Sequence, residues 1–265
     1  MLPSTVDAMA SNLRPVRPLA SEADLKKLAR RTFIAYGRDT VDFLQALRCD
    51  EATVAQRFEL APGYQARFAE ILRGGQGAIL VTGHFGNWEI GSVLMSRVLH
   101  LPLTIVAMAE ADARVNDMRR EIRAQLGVET IEVRQSFDTA LRLRRQLAGN
   151  GIVAMLMDRH FGRDRVRVTM FDRPVWFLRT PALLGYLTGA PLLPCFIHRT
   201  NGQRHVAMVG EPIVVDTQGA RDESIQRAAQ QFADQLARQV HAHPEYWYHF
   251  YRYWDAQRDV YTGLE

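Results

Sequence analysis

Short apolar runs alternate with helical patterns along most of this 265-residue chain. Four runs have the length and composition of strands: Ala78–Thr82, Leu103–Ala107, Val128–Val133 and Ile152–Met157. The last run is apolar at every position, which is typical of a central parallel strand that is covered on both faces. Strands that alternate with helices predict an α/β sandwich in which a mostly parallel, mixed sheet is flanked by helices.

The chain is long enough for one large α/β domain, and neither an internal repeat nor a linker divides it. Residues 1–20 are rich in proline, serine and alanine, and we expect them to be irregular. Ser21, followed by the acidic Glu22 and Asp24, predicts the start of a helix. We therefore expect an irregular N-terminal segment, residues 1–20, and a single domain over residues 21–265.

Composition argues against several classes of protein. Cys49 and Cys195 lie in no Cys-x-x-Cys or Cys/His pattern, so neither a zinc site nor a disulfide framework is expected. The net charge is +4, and lysine occurs only at Lys26 and Lys27, so arginine carries almost all of the positive charge. Arginine suits phosphates, carboxylates and anionic membrane surfaces. The pattern of a nucleic-acid-binding module is not present, and no nucleic-acid partner is expected.

A glycine-containing turn after the first strand carries His84 and Glu89. This turn lies where α/β sheets place their chemistry, at the carboxyl end of a strand. A nearby carboxylate can orient an imidazole and fix its tautomer, and the imidazole is then a general base for an alcohol. Gly86 permits a tight turn, and Asn87 is expected to cap the following helix. The alternative is a buried structural histidine beside a glutamate that begins a helix.

A second polar group follows the fourth strand. Asp158 and Arg159 come directly after the apolar run, and Arg163 and Arg165 lie a few residues further on. If the strands are parallel, these side chains share an edge of the sheet with His84. We expect Arg159 to bind a phosphate or a developing negative charge, and Asp158 to orient Arg159 or a second polar group. The alternative is a solvated, arginine-rich loop.

Two further surface patterns leave their functions open. The C-terminal aromatic residues from Trp247 to Trp254 either pack on the sheet or lie at a membrane interface, and we favour packing. Seven arginines on two predicted helices form either a solvated face or a basic patch for an acidic carrier protein or lipid headgroups. They are Arg114, Arg119, Arg120, Arg123, Arg142, Arg144 and Arg145.

Several blocks resemble the bacterial lipid A biosynthesis acyltransferases, which belong to the lysophospholipid acyltransferase superfamily. Residues 83–89, Gly-His-Phe-Gly-Asn-Trp-Glu, are similar to the active-site motif of that family, with its His-x-x-x-x-acid signature. Residues 158–162 are similar to its Asp-x-x-Phe-Gly block, and residues 243–248 to its Pro-x-x-Trp segment. The resemblance extends from about residue 11 to residue 254.

The resemblance implies a glycerol-3-phosphate acyltransferase-like fold. It also implies transfer of a fatty acyl chain from an acyl-carrier-protein or coenzyme A thioester to a hydroxyl of a glycolipid such as a lipid A precursor. His84 would deprotonate the hydroxyl, Glu89 would hold its ring, and Arg159 or a backbone N–H near Gly86 would stabilise the oxyanion. Gly86, Asn87, Asp158, Arg163 and Arg165 are candidate substrate-binding residues. No covalent nucleophile, cofactor or metal is required.

Two alternative functions remain open: another lipid O-acyltransferase, such as a phosphatidylinositol mannoside type, and a non-catalytic module that binds lipid or carrier. Members of the family usually have an N-terminal membrane-embedded helix, and the sequence contains no apolar run long enough to span a bilayer. We therefore expect a peripheral protein on the cytoplasmic face of the inner membrane, or a truncated membrane-anchored protein. Its expected partners are an acyl donor, a glycolipid acceptor and the membrane surface.

Overall fold

The computed structural model describes residues 3–107, 113–132, 137–200 and 204–256. Its strands are β1 Phe58–Leu60, β2 Ala78–Thr82, β3 Leu103–Ala107, β4 Glu129–Glu132, β5 Ile152–Leu156, β6 Val166–Met170, β7 Arg173–Phe177, β8 Leu192–Arg199 and β9 His205–Val209. Its α-helices are α1 Pro3–Leu13, α2 Glu22–Ala46, α3 Glu51–Gln56, α4 Tyr64–Arg73, α5 Trp88–Val93, α6 Ala113–Gln125, α7 Phe137–Ala148, α8 Thr180–Thr188, α9 Arg221–Ala242 and α10 Tyr253–Ala256. A π-helical turn, Leu94–Val98, continues α5, and a 3-10 turn, Pro244–Tyr246, follows α9.

Seven strands form one sheet in the order β1-β9-β8-β2-β5-β3-β4. Only the β8–β9 pair is antiparallel among the described pairs of this sheet, so the predicted mostly parallel α/β architecture is confirmed. Strand β2 lies at the centre, between β5 and β8. This position explains its apolar sequence, because its first four residues are buried.

The core consists of two apolar clusters. Ile79 and Val81 of β2 belong to the cluster that contains Phe232 of α9. Ala78 and Leu80, the alternate residues of the same strand, belong to the other cluster. Successive side chains of a strand point to opposite faces, so β2 contributes to both clusters and is fixed between them.

The alternating pattern of residues 166–171 predicts a strand or a hairpin near a sheet edge, and these residues belong to a separate hairpin. Strand β6 pairs with β7 in a separate two-stranded antiparallel sheet. Phe171 and Asp172 connect the strands with φ of 51° and 57°, as a two-residue turn with two positive φ angles requires. Strand β7 lies beyond that predicted range, and its Pro174 weakens a strand pattern except at an unpaired edge.

The N-terminal residues differ from the prediction. We expected residues 1–20 to be irregular, but Pro3–Leu13 forms α1. Its apolar residues pack against Leu25 and Ala29 of α2, and they are Val6, Met9, Ala10 and Leu13. Asn12 donates hydrogen bonds to the backbone carbonyls of His249 and Tyr251. Tertiary contacts of this kind stabilise a short helix that local composition does not favour.

Other boundaries shift slightly. The sequence from His205 to Val215 predicts one strand, but β9 ends at Val209, although Ile213 still bridges to Leu192. Residues 108–112 and 133–136 lie outside the described residues; they include Ala111 and Ser136, where the sequence predicts the starts of two helices. Within the described ranges, none of the helices combines the length and the apolar character that crossing a bilayer requires.

Candidate active site

The loops that follow β2 and β5 meet at one edge of the sheet. The two strands are parallel neighbours, with Thr82 opposite Leu156. His84 follows β2 and Asp158 follows β5, and the backbone N–H of His84 donates to Asp158 Oδ2 at 2.8 Å. The prediction that His84 and Asp158 share an edge is therefore confirmed. Gly83 permits this approach, because a Cβ at residue 83 would lie 3.0 Å from Asp158 Oδ2.

His84 is bonded to a buried carboxylate. Its Nδ1 lies 2.6 Å from Asp158 Oδ1. The side chain of Asp158 is fully buried, whereas 15% of the His84 side chain is exposed. A carboxylate at Nδ1 favours the tautomer that carries its proton there, which leaves the lone pair on Nε2. In that tautomer His84 can accept a proton through Nε2 and act as a general base.

A second histidine, His249, contacts the other oxygen of the same carboxylate. Its Nε2 lies 3.0 Å from Asp158 Oδ2. Arg159 Nε donates to His249 Nδ1 at 3.3 Å. A guanidinium can only donate, so Nδ1 accepts and the proton of this ring lies on Nε2, directed at Asp158. Burial, together with the charge of Arg159, lowers the pKa of His249 to about 3, so its ring is neutral near pH 7.

Asp158 stays ionised despite its burial. Burial alone would raise the pKa of Asp158, but its electrostatic interactions and hydrogen bonds with His84 and His249 outweigh this effect and hold the pKa well below its usual value. The backbone carbonyl of Asp158 accepts a bond from the Tyr253 hydroxyl at 2.8 Å. We call His84, Asp158, Arg159 and His249 the Asp158 group.

Glu89 has a different partner from the one expected. The carboxylate at His84 Nδ1 is Asp158, whereas Glu89 Oε1 accepts a bond from Arg123 Nη2 at 2.7 Å. Arg119 Nη1 lies 4.0 Å from the same oxygen. The sequence places Glu89 five positions after His84, but it does not reveal which strand lies beside β2. Two of the seven arginines on α6 and α7 thus face Glu89.

The backbone around Gly86 is already bonded. The N–H of Gly86 donates to the Tyr246 carbonyl at 2.7 Å, and the N–H of Asn87 donates to the Ile197 carbonyl at 2.8 Å. These two amides are therefore not free to form the oxyanion site that we expected near Gly86. Gly86 has φ of 59°, and a Cβ there would lie 1.9 Å from the Ile197 oxygen. Only glycine fits this approach.

Asn87 caps α5 as predicted. Its Oδ1 accepts from the Ile90 N–H at 3.1 Å, and its Nδ2 donates to the backbone carbonyl of Asp39 at 2.9 Å. Asn87 is only 3% exposed, so these bonds position the loop, and its predicted contact with substrate would need the loop to open.

The three predicted arginines lie in different surroundings. Arg159 is half-buried, its Nη2 donates to the Tyr248 carbonyl at 3.0 Å, and its Cζ lies 5.2 Å from the centre of the Tyr251 ring. Arg165 is exposed and stacks over Trp176 of β7 at 4.7 Å. Arg163 is exposed in the same loop and is not part of the Asp158 group.

Sequence reasoning missed the contribution of the C-terminal segment, residues 244–254. We expected its aromatic side chains to pack, and Trp247, Tyr248 and Tyr253 are buried. The same segment also delivers His249 to Asp158, and the N–H of Tyr248 donates to the His84 carbonyl at 2.7 Å. The sequence feature that could have indicated this role is His249 itself, a histidine within a dense run of aromatic residues.

Two groups of the described residues have the side-chain types and spacing of metal ligands: His84, Asp158 and His249, and Asp39, Asp42 and His205. In the first group, direct contacts of 2.6 and 3.0 Å between ring nitrogens and carboxylate oxygens leave no space for an ion between them. That group is accounted for by shared protons.

Comparison with known proteins identifies the family of this chain. The bacterial lipid A biosynthesis acyltransferase family matches residues 4–256. A phosphatidylinositol mannoside acyltransferase from Mycobacterium tuberculosis is 27% identical over 227 residues, which are 84% of this chain and 68% of that protein. One from Mycolicibacterium smegmatis is 29% identical over 127 residues, which are 46% of this chain and 40% of that protein. Because the family match covers nearly the whole described chain, and with it both loops of the Asp158 group, this protein belongs to the bacterial lipid A biosynthesis acyltransferase family.

Proposed function

We propose that the chain is a lipid O-acyltransferase in which His84 is the general base. The observation that carries the proposal is the bond between His84 Nδ1 and the buried, ionised Asp158, at a strand end in a family of acyltransferases. Because His84 Nδ1 is bonded to Asp158, Nε2 is the ring nitrogen that can remove a proton from an acceptor hydroxyl. A carboxylate at Nδ1 also stabilises the imidazolium that forms.

The reaction proceeds in two steps with no covalent enzyme intermediate. His84 Nε2 takes the hydroxyl proton while the acceptor oxygen attacks the carbonyl carbon of the acyl thioester. A C–O bond forms, and the carbonyl oxygen becomes an oxyanion. The C–S bond then breaks, and the departing thiolate takes the proton from the imidazolium. His84 returns to its neutral form, and the acyl chain is esterified to the acceptor.

Arg159 and Glu89 are proposed to support this chemistry through different contacts. Arg159 holds His249 against Asp158, and its charge remains our candidate for stabilising the oxyanion. Glu89 lies in the first turn of α5 and binds Arg123, whose side chain is 8% exposed. This ion pair fixes the first turn of α5, so we propose that Glu89 orients the loop that carries His84, while Asp158 orients the ring.

The acceptor is proposed to be a glycolipid hydroxyl. The mycobacterial relatives are named for phosphatidylinositol mannoside, which favours a mannosylated inositol lipid over a lipid A precursor. The donor is an acyl carrier protein or coenzyme A thioester. Both donors are acidic, and five exposed arginines of α6 and α7 suit either of them: Arg114, Arg120, Arg142, Arg144 and Arg145.

Peripheral binding to the cytoplasmic face of the inner membrane is proposed through the outer face of α2. This face presents four exposed apolar side chains, which are Phe33, Ile34, Val41 and Leu44. Exposed cations flank them: Lys27, Arg30, Arg31, Arg38 and Arg48. The acids of the same stretch, Asp39 and Asp42, are buried on the inner side of the helix. An apolar stripe bordered by cations is typical of a helix that lies in a membrane interface.

Transfer of a radiolabelled acyl chain from purified donor to extracted glycolipid tests the proposal. We expect product with the wild type and at least a ~10³-fold loss with His84→Ala, as for removal of a general base. Binding of the acyl donor serves as the control and should be retained in the variant. If both proteins bind donor and neither transfers the chain, the protein is a carrier-binding module and the proposal fails.

A further inference from the structure

A second buried polar group contacts the segments that carry the Asp158 group. It consists of Asp39 and Asp42 on α2, Arg199 at the end of β8, His205 at the start of β9, and Tyr248. Asp39 and Asp42 are three residues apart, so their side chains share one face of the helix. Asp39 is 4% exposed, and His205 and Tyr248 are each 1% exposed. The acyl-transfer mechanism makes no use of this group.

Asp39 contacts both segments that build the Asp158 group. Its Oδ2 accepts a hydrogen bond from the Tyr248 hydroxyl at 2.6 Å. Its backbone carbonyl accepts from Asn87 Nδ2 at 2.9 Å. Asn87 lies in the loop that carries His84, and Tyr248 precedes His249 in the chain. One residue of α2 therefore ties the loop after β2 to the C-terminal segment.

Tyr248 transmits this constraint to the reacting residues. Its backbone N–H donates to the His84 carbonyl at 2.7 Å, and its carbonyl accepts from Arg159 Nη2 at 3.0 Å. The next residue, His249, is bonded to Asp158. A displaced Tyr248 would move the backbone of His249 and loosen the bonds of Arg159 and His84 together.

Burial of the Asp39 carboxylate is unfavourable for folding. Burial raises the pKa of Asp39 to about 6, and Tyr248, His205 and Arg199 compensate only in part. Its Oδ1 is buried and has no hydrogen-bond partner, and the nearest basic atom, His205 Nε2, lies 3.9 Å away. A buried carboxylate that is incompletely bonded lowers stability. Such a cost beside an active site suggests a gain in function.

We propose that Asp39 is a positioning residue. Its carboxylate holds Tyr248 and thereby keeps His84 and Asp158 in the hydrogen-bond geometry that catalysis requires. The proposal rests on the proposed acyl transfer. Asp39 does not contact the reacting atoms itself, and it acts through Tyr248 and Asn87. A carboxylate serves better than a neutral acceptor here, because its bond to a hydroxyl is charge-assisted.

A bound metal ion is the competing explanation for the buried Asp39 Oδ1, which has no hydrogen-bond partner. Asp39, Asp42 and His205 have the ligand types and spacing for one. However, Asp42 Oδ2 already accepts two N–H groups of Arg199. A divalent cation on that oxygen would lie against a guanidinium charge, so the arrangement favours a proton-bonded group.

Steady-state kinetics of Asp39→Asn, Tyr248→Phe and their double variant test the proposal. We expect kcat to fall about tenfold in each single variant, with little change in either KM, because only the catalytic geometry is altered. The double variant should lose no more than Tyr248→Phe alone, since Asp39→Asn weakens and Tyr248→Phe removes the same hydrogen bond. The melting temperature of Asp39→Asn at pH 7 should be at least that of the wild type.

Asp42→Asn is the matched control, one helical turn away in the same buried group. It removes the partner of Arg199 but leaves the bond between Asp39 and Tyr248. We expect a lower melting temperature and a kcat within about twofold of the wild type. An equal loss of kcat in Asp39→Asn and Asp42→Asn overturns the proposal. So does a melting temperature that zinc raises in the wild type but not in His205→Ala.

Proton NMR separates this proposal from the proposed function. The hydrogen-bonded Nδ1 proton of His84 should resonate far downfield in the wild type and in Asp42→Asn, and it should broaden or disappear in Asp39→Asn. If the wild type transfers no acyl chain but this pattern holds, acyl transfer is wrong and the positioning role stands. If the signal is the same in all three proteins, the positioning role is wrong even when transfer is observed.

Discussion

Asp158 connects the residues of the candidate active site. It accepts the backbone N–H of His84, and its side-chain oxygens contact His84 Nδ1 and His249 Nε2. These contacts compensate for removing a carboxylate from water, which would otherwise favour its protonated form. The tautomer of His249 is fixed in turn by Arg159, which can only donate. Protons are thereby assigned throughout the Asp158 group without reference to a ligand.

Glu89→Gln tests the role of the other carboxylate near His84. The substitution removes the charge that binds Arg123, whose Nε is buried without a hydrogen-bond partner. We expect the start of α5 to loosen and kcat to fall about tenfold, with donor KM nearly unchanged. Initial-rate kinetics with varied donor give both values. A normal kcat in this variant would show that Glu89 orients nothing that catalysis needs.

Asp39 gives the fold a pH dependence opposite in sign to that of an ordinary aspartate. Its folded pKa of about 6 lies above the unfolded value, so its contribution to stability declines as the pH rises from about 4 to about 6. Asp39→Asn removes this decline. We expect the variant to gain about 2–3 kcal/mol of unfolding free energy relative to the wild type between pH 4 and pH 7. Urea denaturation at the two pH values measures the difference.

Asp42→Asn should change in the opposite direction over the same pH range. Burial alone would raise the pKa of Asp42, but His205 and Arg199 outweigh it and lower that pKa. Asp42 therefore stabilises the fold above its unfolded pKa, and its loss should weaken the protein more at pH 7 than at pH 4. A constant difference between Asp39→Asn and the wild type at both pH values contradicts the assignment for Asp39.

At the scale of elements, the sequence was enough to predict which edge of the sheet carries the site. The apolar runs of β2 and β5 and the polar residues after them placed His84 and Asp158 at carboxyl ends of parallel strands. The adjacency of the two strands was not predictable, because β3, α6, β4 and α7 separate them along the chain. A sequence motif shows only the spacing of residues along the chain. For this reason Glu89 was predicted to orient the His84 ring, although the carboxylate that bonds the ring is Asp158, which follows a neighbouring strand.

The structures of helix α1 and of the C-terminal segment also could not be predicted from local sequence. Each contacts the other through Asn12, which bonds the carbonyls of His249 and Tyr251 and lies far from them in sequence. Local composition therefore suggested irregular structure for one and simple packing for the other. Contacts between the two ends of the chain stabilise both, and no local pattern encodes them.

Gly86→Ala tests whether the loop between β2 and α5 depends on close backbone contact. A Cβ would lie 1.9 Å from the Ile197 oxygen, which is backbone and cannot rotate away. We expect a loss of roughly 3 kcal/mol or more, from the clash together with the strain of a positive φ. Gly63→Ala is the control, since φ there is 78° and no atom lies within 4 Å of its Cβ. Its cost should be only about 1 kcal/mol. Equal losses in urea denaturation would refute the loop argument.

At the scale of the whole molecule, charge and apolar surface are segregated. The outer face of α2 combines four exposed apolar residues with cations, while both of its central acids point inward to the site. Because Asp39 on that helix is bonded to Asn87 and Tyr248, a bilayer on the outer face would lie on the opposite side of α2 from the Asp158 group. In the proposed function, α2 would therefore connect lipid binding with catalysis.

Ile34→Glu with Val41→Glu tests this surface. Two carboxylates on the apolar stripe oppose insertion and repel anionic lipid, so we expect flotation with phosphatidylglycerol vesicles to fall at least ~10-fold. Leu187→Glu is the matched control, because Leu187 is a 56% exposed apolar residue on α8, away from this face. Its flotation should equal that of the wild type. Equal binding by all three proteins would exclude α2 as the membrane-binding surface.

The most direct measurement is a comparison of kcat for acyl transfer in Asp158→Asn and Glu89→Gln at a pH where the wild type is fully active. An asparagine at residue 158 can present its amide to His84 Nδ1 and stabilise the wrong tautomer, so we expect a loss of about 10³-fold or more. Glu89→Gln should lose about tenfold. An Asp158→Asn enzyme that retains wild-type turnover, or that loses less than Glu89→Gln, would contradict the assignment of Asp158 as the carboxylate that activates His84.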